Sequence, residues 1–311
     1  MQLHRDPARK LGNLQRESGG LLRRMARWVL YPFVILVTFA LDHLFQVLGA
    51  GSWFSAYGAV AIGSLGLIFW LERHFPHKRE WRDSATESRT DLQFLVLVGT
   101  LLPMTLALGL VALSSTLIPS LLPSKISLWP RSLNTWQQVL LILLIADCTH
   151  YWLHRCCHDW PILWRLHSIH HAVQKVNMLN STRFHPLETS LQFLCDTAPF
   201  ILLGVSPDVM ALYYVLQVSK GLLQHSNLDV RLGLANRIIS GPELHRLHHS
   251  IDPIQSNTNF GSKLSIWDSI WGTYMRPANQ VITAIGIEED DGQAPFMEQL
   301  RRPFRAKTKS A

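Results

Sequence analysis

Charged residues are scarce in this chain. Lys, Arg, Asp and Glu make up 16% of its 311 residues, whereas a typical soluble domain has about 25%. Hydrophobic residues reach 48%, and eleven of the residues are Trp, a side chain that favours the membrane–water interface. This composition disfavours a soluble protein, and we expect an all-α, polytopic integral membrane protein.

Motifs of several common enzyme classes are also absent. No His-Glu-x-x-His run occurs, which disfavours a zinc protease, and no Gly-x-Gly-x-x-Gly loop indicates a flavin or nicotinamide site. None of the four cysteines forms a Cys-x-x-Cys pair. We interpret all four as reduced packing residues: Cys148, Cys156, Cys157 and Cys195.

What the chain does contain is a series of apolar segments. A spanning helix needs about 20 mainly apolar residues, and four segments meet or approach that length: 28–48, 53–71, 92–118 and 136–153. Segments 189–203 and 208–224 are shorter and more polar, and we expect them to form a hairpin that turns at 204–207.

Lys and Arg are distributed unevenly along these segments. If the N-terminus is cytoplasmic and all six segments cross, the outer loops hold only Lys125 and Arg131, and Lys220 lies inside the last segment. All other Lys and Arg then lie on the cytoplasmic side, as the positive-inside rule predicts. Membrane topology thus explains the net charge of +7, and we expect no nucleic-acid partner.

Histidines cluster in the second half of the chain. Nine of the 15 histidines lie there, eight of them in three short runs and His225 alone: His154, His158, His167, His170, His171, His225, His245, His248 and His249. Residues three and four apart share a helix face, so each run directs its imidazoles to one place. Nine imidazoles exceed the needs of one metal ion, so we predict two ions at one membrane face. Imidazole binds Zn, Cu, Fe and Ni, so spacing alone does not name the metal.

Local signals predict how these histidines are presented. Trp160-Pro161 predicts the end of the helix that carries His154 and His158. Ser240-x-x-Glu243 predicts a capping box at the start of the last histidine helix. His150, one turn before His154, is expected to be a buried, hydrogen-bonded histidine rather than a ligand.

The order of these motifs resembles the fatty acid hydroxylase/sterol desaturase superfamily over about residues 136–275. The matching stretches are LWRLHSIHH at 163–171, RFHPLE at 183–188, QHSN at 224–227, ELHRLHH at 243–249 and NFG at 259–261. The resemblance implies a membrane enzyme that uses two irons, O2 and external electrons to hydroxylate or desaturate a lipid C–H bond. It makes the nine histidines the metal ligands.

The same resemblance suggests further site residues. Some members carry a second histidine shortly after the one that corresponds to His225, and here Asn227 or a water would fill that place. Metal-bound imidazoles usually donate their other N–H to a carboxylate or carbonyl. The candidate carboxylate partners are Asp147, Glu188, Glu243 and Asp268. His185 is a further candidate, as a hydrogen-bonding partner or a tenth ligand.

The predicted organisation has four parts. Residues 1–27 form a basic cytoplasmic arm, 28–135 a region of about three spans, 136–275 the catalytic domain and 276–311 a charged tail. A separate electron donor, such as a ferredoxin, a rubredoxin or a cytochrome b5-like protein, is expected. We expect a bacterial inner membrane, with the ER as the alternative because Lys307-x-Lys309 resembles a retrieval signal.

Two alternatives to hydroxylation or desaturation remain open. The same site is compatible with oxidative cleavage of an ether lipid or removal of an aldehyde carbon, because a fold does not fix one reaction. A metal-binding or transport protein without catalysis is the other alternative. It is disfavoured because the histidines lie outside the predicted spans and no chain of intramembrane charges is present.

Overall fold

Four long helices dominate the structure. The structure is a computed structural model that describes residues 7–81, 85–121, 129–277, 280, 282–288 and 292–305. Helix α1 is Pro7–Val47. Helix α2 consists of Ser52–Ala59, a π-helical stretch Val60–Gly66, and Leu67–His74. Helix α3 joins Ala85–Gln93, a π-helical stretch Phe94–Leu101, and Leu102–Leu121. Helix α4 is Thr135–Asp159.

These four helices are long and apolar enough to cross a membrane. The candidate spans are Arg24–Val47, Ser52–His74, Glu87–Ser115 and Thr135–Asp159. Their sides expose many large apolar residues, as a lipid-facing surface does. In the described part of the chain, only isolated β-bridges accompany the helices. The all-α, polytopic fold expected from the sequence is therefore confirmed.

The two shorter apolar segments form the expected hairpin, although neither is among the candidate spans. Its first arm is α6, Pro186–Asp196, followed by the short α7, Ala198–Leu202, and its second arm is α8, Pro207–Gln224. The turn contains Gly204 at φ 76°. Arg131 donates to the carbonyl of Gly204 at 2.8 Å, so the tip of the hairpin lies beside the start of α4.

Shorter helices complete the second half of the chain. They are α5 at Pro161–His171, α9 at Pro242–His248, α10 at Pro253–Ser256, α11 at Ile266–Trp271 and α12 at Phe296–Arg301. The stop predicted at Trp160-Pro161 is confirmed, because Trp160 ends α4 and Pro161 begins α5. Proline suits the first turn of a helix, where its missing N–H leaves no hydrogen bond unmade.

The capping box predicted for α9 is wrong. Gly241 precedes that helix, and no side chain caps it. The hydroxyl of Ser240 instead accepts from Gln224 Nε2 at 2.8 Å. Glu243 accepts from the main-chain N–H of Leu232 and from Asn236 Nδ2, each at 2.7 Å. Buried donors elsewhere in the fold compete for these side chains, and a local motif does not reveal that competition.

Polar contacts join the spans inside the bundle. Thr38 of α1 and Ser64 of α2 bond at 3.0 Å, and Ser64 donates to Ser219 of α8 at 2.7 Å. Asp42 accepts from Ser55 at 2.7 Å, which links α1 to α2. Hydroxyl bonds of this kind hold helices together where water is absent.

Ion pairs and backbone bonds bring several segments to the end of the bundle that carries the histidines. Arg27, at the start of the first span, pairs with Asp229 at 2.7 Å. The loop after α2 bonds to the same region, since the His77 N–H donates to the Asn227 carbonyl at 2.9 Å. Lys175 pairs with Glu87, at the start of the third span, at 2.8 Å. The described residues just after α2 and the start of the third span thus lie against this end of the bundle.

Part of the charged tail packs against this end as well. Phe296 of α12 lies edge-on to the buried Phe94 of α3, with ring centroids 4.7 Å apart. The buried guanidinium of Arg183 bonds to Gln299 at 3.0 Å and to Asp91 at 3.2 Å. Residues 292–305 are therefore an ordered part of the fold. The lysines of the possible retrieval signal lie outside the described residues.

Candidate metal centre

The fold brings all nine predicted histidines together in two groups. The first, which we call the five-histidine group, contains His154, His158, His167, His171 and His248. The second, the four-histidine group, contains His170, His225, His245 and His249. Within each group the candidate ligand nitrogens all lie within 4.8 Å of one another. All but His158 are buried.

Four separate pieces of chain supply these side chains. Helix α4 supplies two at its end, α5 supplies three, and α9 with the residue that follows it supplies three. His225 follows the last residue of α8. Two adjacent pairs are divided between the groups: His170 and His171 on α5, and His248 and His249 at the end of α9. Neighbouring residues on a helix point about 100° apart, so each pair reaches two adjacent sites.

Short nitrogen–nitrogen distances define each group. In the five-histidine group, His154 Nε2 lies 3.1 Å from His167 Nε2 and 3.0 Å from His248 Nε2. His171 Nε2 closes the set, at 3.1 Å from His248 Nε2 and 3.2 Å from His158 Nε2. Nitrogens bound at right angles to one metal at 2.0–2.1 Å would be about 3 Å apart.

His249 is the central member of the four-histidine group. Its Nε2 lies 3.1 Å from that of His170, 3.0 Å from that of His245 and 3.3 Å from that of His225. The rings of His249 and His171 stack with centroids 4.4 Å apart, so the two groups are direct neighbours.

Hydrogen bonds to Nδ1 show which ring nitrogen is free to bind metal. The carbonyl of Phe260 accepts from His154 Nδ1 at 2.8 Å, and that of Thr258 accepts from His248 Nδ1 at 2.8 Å. A carbonyl only accepts, so each Nδ1 carries the proton and each Nε2 keeps its lone pair. Two such lone pairs at 3.0 Å repel each other unless they share a cation. This donor set fits a transition metal ion.

Burial keeps these rings neutral. It lowers the pKa of His248 to about 3 and the pKa of His225 to about 4. The pKa values of His170, His171 and His249 are also lowered well below the usual value, first by burial and then by the neighbouring histidines. At neutral pH a metal ion therefore meets imidazoles whose ligand nitrogens hold no proton.

Glu188 lies where the sequence suggested a carboxylate partner. Its Oε1 accepts from His167 Nδ1 at 2.6 Å, and both side chains are 2% exposed. Such a carboxylate fixes the orientation of the ring and increases the basicity of the metal-binding nitrogen. Cys157 lies beside this pair, with its sulfur within 4.8 Å of the His167 and Glu188 ligand atoms.

Three other predicted site residues lie apart from the histidine nitrogens. Asp147 accepts the main-chain N–H groups of Lys263 and Leu264, each at 2.8 Å. The Asn227 side chain bonds to the backbone of Lys78, at 3.0 and 2.9 Å. His185 precedes α6 and accepts from the Leu187 N–H at 3.1 Å. Each holds backbone in place around the site.

A further carboxylate that the sequence offered as a partner, Asp268, reaches the site through the backbone. Asp268 accepts from the N–H groups of Phe260 and Gly261, at 2.7 and 2.9 Å, and so fixes the carbonyl that meets His154. A Cβ on Gly261 would lie 2.2 Å from the Leu264 carbonyl oxygen, so the loop needs glycine here. In the sequence, the NFG motif marks this loop.

The His150 ring is hydrogen-bonded, as predicted, although it is only partly buried. Its Nδ1 bonds to Asp196 Oδ2 of α6 at 2.9 Å. His150 lies one turn before His154 on α4, with ring centroids 6.2 Å apart. It therefore belongs to the surroundings of the histidine groups and not to either group.

A cavity of about 240 Å³ opens beside both groups. Members of each group line it, including His154 and His167 of the first and His170 and His225 of the second. Its far wall is apolar and comes from the candidate spans α2 and α3, with Val60, Leu65, Leu95 and Pro103 among the lining residues. An apolar molecule in this cavity would therefore lie beside both histidine groups.

Comparison with known proteins agrees with this arrangement. The Fatty acid hydroxylase family matches residues 139–273, which contain all nine histidines. An ornithine lipid hydroxylase from Rhizobium tropici is 32% identical over 261 residues, covering 81% of this chain and 76% of that protein. No solved structure matches the chain.

Two further relatives match about half of the chain. An alkylglycerol monooxygenase from Danio rerio is 29% identical over 154 residues, covering 50% of this chain and 33% of that protein. A Delta(7)-sterol 5(6)-desaturase from Aspergillus fumigatus is 28% identical over 153 residues, covering 49% of this chain and 43% of that protein. The four apolar helices, the two histidine groups and the long match to a bacterial hydroxylase lead to one assignment: the chain is an oxidoreductase that belongs to the fatty acid hydroxylase/sterol desaturase superfamily.

Proposed function

We propose that this protein is a membrane-bound oxygenase that holds one iron ion in each histidine group and hydroxylates a lipid. The observation that carries the proposal is the single cavity that both groups line and that apolar residues of two candidate spans close. A bound di-iron pair would supply the oxidant for an unactivated C–H bond, which no side chain can provide.

The protein itself contributes orientation and exclusion of water. Glu188 and the carbonyls of Phe260 and Thr258 hold three rings with the ligand nitrogen facing inward. Phe184 stacks on His170 with centroids 4.2 Å apart and closes the cavity on that side. Buried, rigid ligands are the arrangement that a defined metal geometry requires.

Hydroxylation is the preferred reaction because the bacterial relative that matches over most of its length is a hydroxylase. The relatives that match about half of this chain include a monooxygenase and a desaturase. Desaturation or oxidative cleavage on the same site is therefore the second candidate. Electrons would come from a separate donor, such as a ferredoxin, a rubredoxin or a cytochrome b5-like protein.

We further propose that the histidine end faces the cytoplasm of a bacterial cell. The start of the first span and the loop between α2 and α3 lie at that end, and both are rich in Lys and Arg. Tagging the chain N-terminus and the 131–134 turn for labelling in intact cells tests this orientation. Labelling of the N-terminal tag in intact cells would contradict it.

Lipid profiling of a host with and without the protein tests the function. We expect a lipid heavier by one oxygen, and about two irons per chain after anaerobic loading with Fe(II). A product lighter by two hydrogens, or a cleaved chain, would favour the second candidate. The control variant is His74→Ala, which removes an exposed histidine that stacks on Trp70 and should leave the product unchanged. The proposal would be refuted if the protein retained no iron after anaerobic loading and the host made no new lipid.

A further inference from the structure

A polar cluster lies on the cavity wall beside the metal groups and takes no part in them. It consists of His150, Asp196 and Lys263, all of which line the cavity. Asp196 Oδ2 lies 2.9 Å from His150 Nδ1 and 3.6 Å from Lys263 Nζ. Asp196 is 3% exposed and Lys263 is 4% exposed. An ionisable cluster this deep between apolar helices is costly, and such clusters mark functional sites.

The second oxygen of Asp196 is the informative atom. Oδ1 is buried and has no hydrogen-bond partner in the part of the chain that the structure describes. Buried carboxylate oxygens accept hydrogen bonds in nearly all proteins, and leaving one without a donor is unfavourable. Burial alone would raise the pKa of this carboxyl group, but His150 and Lys263 outweigh burial and lower the pKa. The unpaired oxygen is therefore suited to an N–H donor from outside the chain.

Charge balance narrows the identity of that donor. Lys263 and Asp196 already neutralise each other. A ligand with a positive charge alone would leave an excess charge buried, which is strongly unfavourable. A ligand group that carries both an ammonium and an anion keeps the balance, because the ammonium meets Asp196 Oδ1 and the anion meets Lys263 Nζ.

The position of the cluster relates this group to the reaction site. His150 precedes His154 by one turn, and the apolar wall of the same cavity suits hydrocarbon chains. We propose that His150, Asp196 and Lys263 bind a zwitterionic, amine-bearing headgroup of the lipid substrate. The proposal rests on the proposed function because it places the substrate in the cavity of the metal groups. Asp196 and Lys263 are then the residues that determine headgroup specificity.

Binding of matched lipids to the full-length protein tests this proposal without turnover. The probes share one acyl chain: an N-acyl lysine with free amine and carboxylate, its Nε-acetyl derivative, its methyl ester, and a lyso-phosphatidylethanolamine. Calorimetry in phosphatidylglycerol nanodiscs measures their affinities. We expect the free-amine lipid to bind at least about 30-fold more tightly than its acetylated form. Comparing the N-acyl lysine with the lyso-phosphatidylethanolamine shows whether the site prefers a carboxylate or a phosphate as the anion. Preferential binding of either lipid supports the proposal.

Two variants assign the two charges. Asp196→Asn should reduce the preference for the free amine to about threefold or less, and Lys263→Met should remove the preference for the acid over its ester. Asp229→Asn is the matched control, since it breaks an ion pair with Arg27 away from the cavity and should leave both preferences intact. If Asp196→Asn does not fold, the lipid series on the unmodified protein and on Lys263→Met still decides the matter.

The outcomes separate this proposal from the proposed function. Equal affinity of the unmodified protein for the free-amine and acetylated lipids would overturn the headgroup site. The same result together with lipid oxidation would leave the oxygenase function standing. Strong preference for the free amine with no oxidised product would support the headgroup site and contradict the oxygenase function.

Discussion

The two histidine groups share one ligand type but differ in how they are supported. In the five-histidine group, four rings have a hydrogen-bond partner at Nδ1: a carboxylate, two carbonyls and the side chain of Asn257. In the four-histidine group, only His225 has one, the carbonyl of Asn177 at 3.1 Å. Among the described residues, nothing bonds to Nδ1 of His170, His245 or His249.

Exposure differs in the opposite sense. His158 of the five-histidine group is partly exposed, and half-buried Trp164 lies 5.2 Å from its ring. All four members of the other group are buried. Outer hydrogen bonds typically change metal affinity about 10–100-fold. The five-histidine group should therefore hold its ion more tightly, while the four-histidine group has one ligand fewer and more room for an exogenous ligand.

Removing the central ligand of the weaker group should have the largest effect. His249→Ala deletes the ring whose Nε2 lies within 3.3 Å of three others. We expect turnover to fall by more than the roughly 10–100-fold effect of an outer partner, with iron reduced to about one per chain. His248→Ala is the counterpart in the other group and should abolish turnover as well. Metal analysis and lipid oxidation by the purified variants measure both; full turnover by either variant would contradict its assignment.

Glu188→Gln tests the support of the stronger group. The variant replaces the carboxylate that accepts from buried His167 with a weaker acceptor. We expect about 10–100-fold weaker iron binding in the five-histidine group and unchanged binding in the other. Competition with a chelator measures the two affinities.

His185→Asn serves as the control for this variant. Asparagine also accepts at a helix N-terminus, so it should replace the His185 cap of α6 with less than about a twofold change in iron affinity. A loss equal to that of Glu188→Gln would instead place His185 among the metal partners.

The sequence predicted the composition of the centre but not its division. Helical spacing indicated that His167, His170 and His171 share a region. The structure places His170 in the four-histidine group and the other two in the five-histidine group. The adjacent pair at 248–249 is divided in the same way. This division depends on how α5, α8 and α9 meet, and spacing within one helix carries no such information.

Contacts with backbone atoms were equally hidden. The carbonyls of Phe260, Thr258 and Asn177 orient three rings, and a carbonyl has no residue-type signal. Glu188 was among the candidates because a carboxylate near a histidine box is chemically suited to the role. The apolar segments and the hairpin turn were predictable because length and hydropathy suffice for them.

Staged removal of iron tests the predicted difference in affinity directly. Because its rings have fewer outer partners, the four-histidine group should release its ion to a chelator first, with affinities about tenfold apart or more. We expect release in two steps of one iron each, counted by iron analysis. Spectroscopy would show which group loses its ion first. In His249→Ala the weaker step should be missing. A single step in the unmodified protein would show that the two groups hold their ions equally.

The smallest effect should come from two single contacts, one beside each group. Phe184 stacks on buried His170, with planes inclined by 16°. Aromatic contacts contribute about 0.5–1.5 kcal/mol, so Phe184→Leu should weaken iron binding in the four-histidine group by a factor of about 2–12. Asn257 bonds to partly exposed His158 at 3.2 Å, and water can replace it in Asn257→Ala with little change. An equal loss in both variants, measured by chelator competition, would show that burial does not decide how much an outer contact contributes.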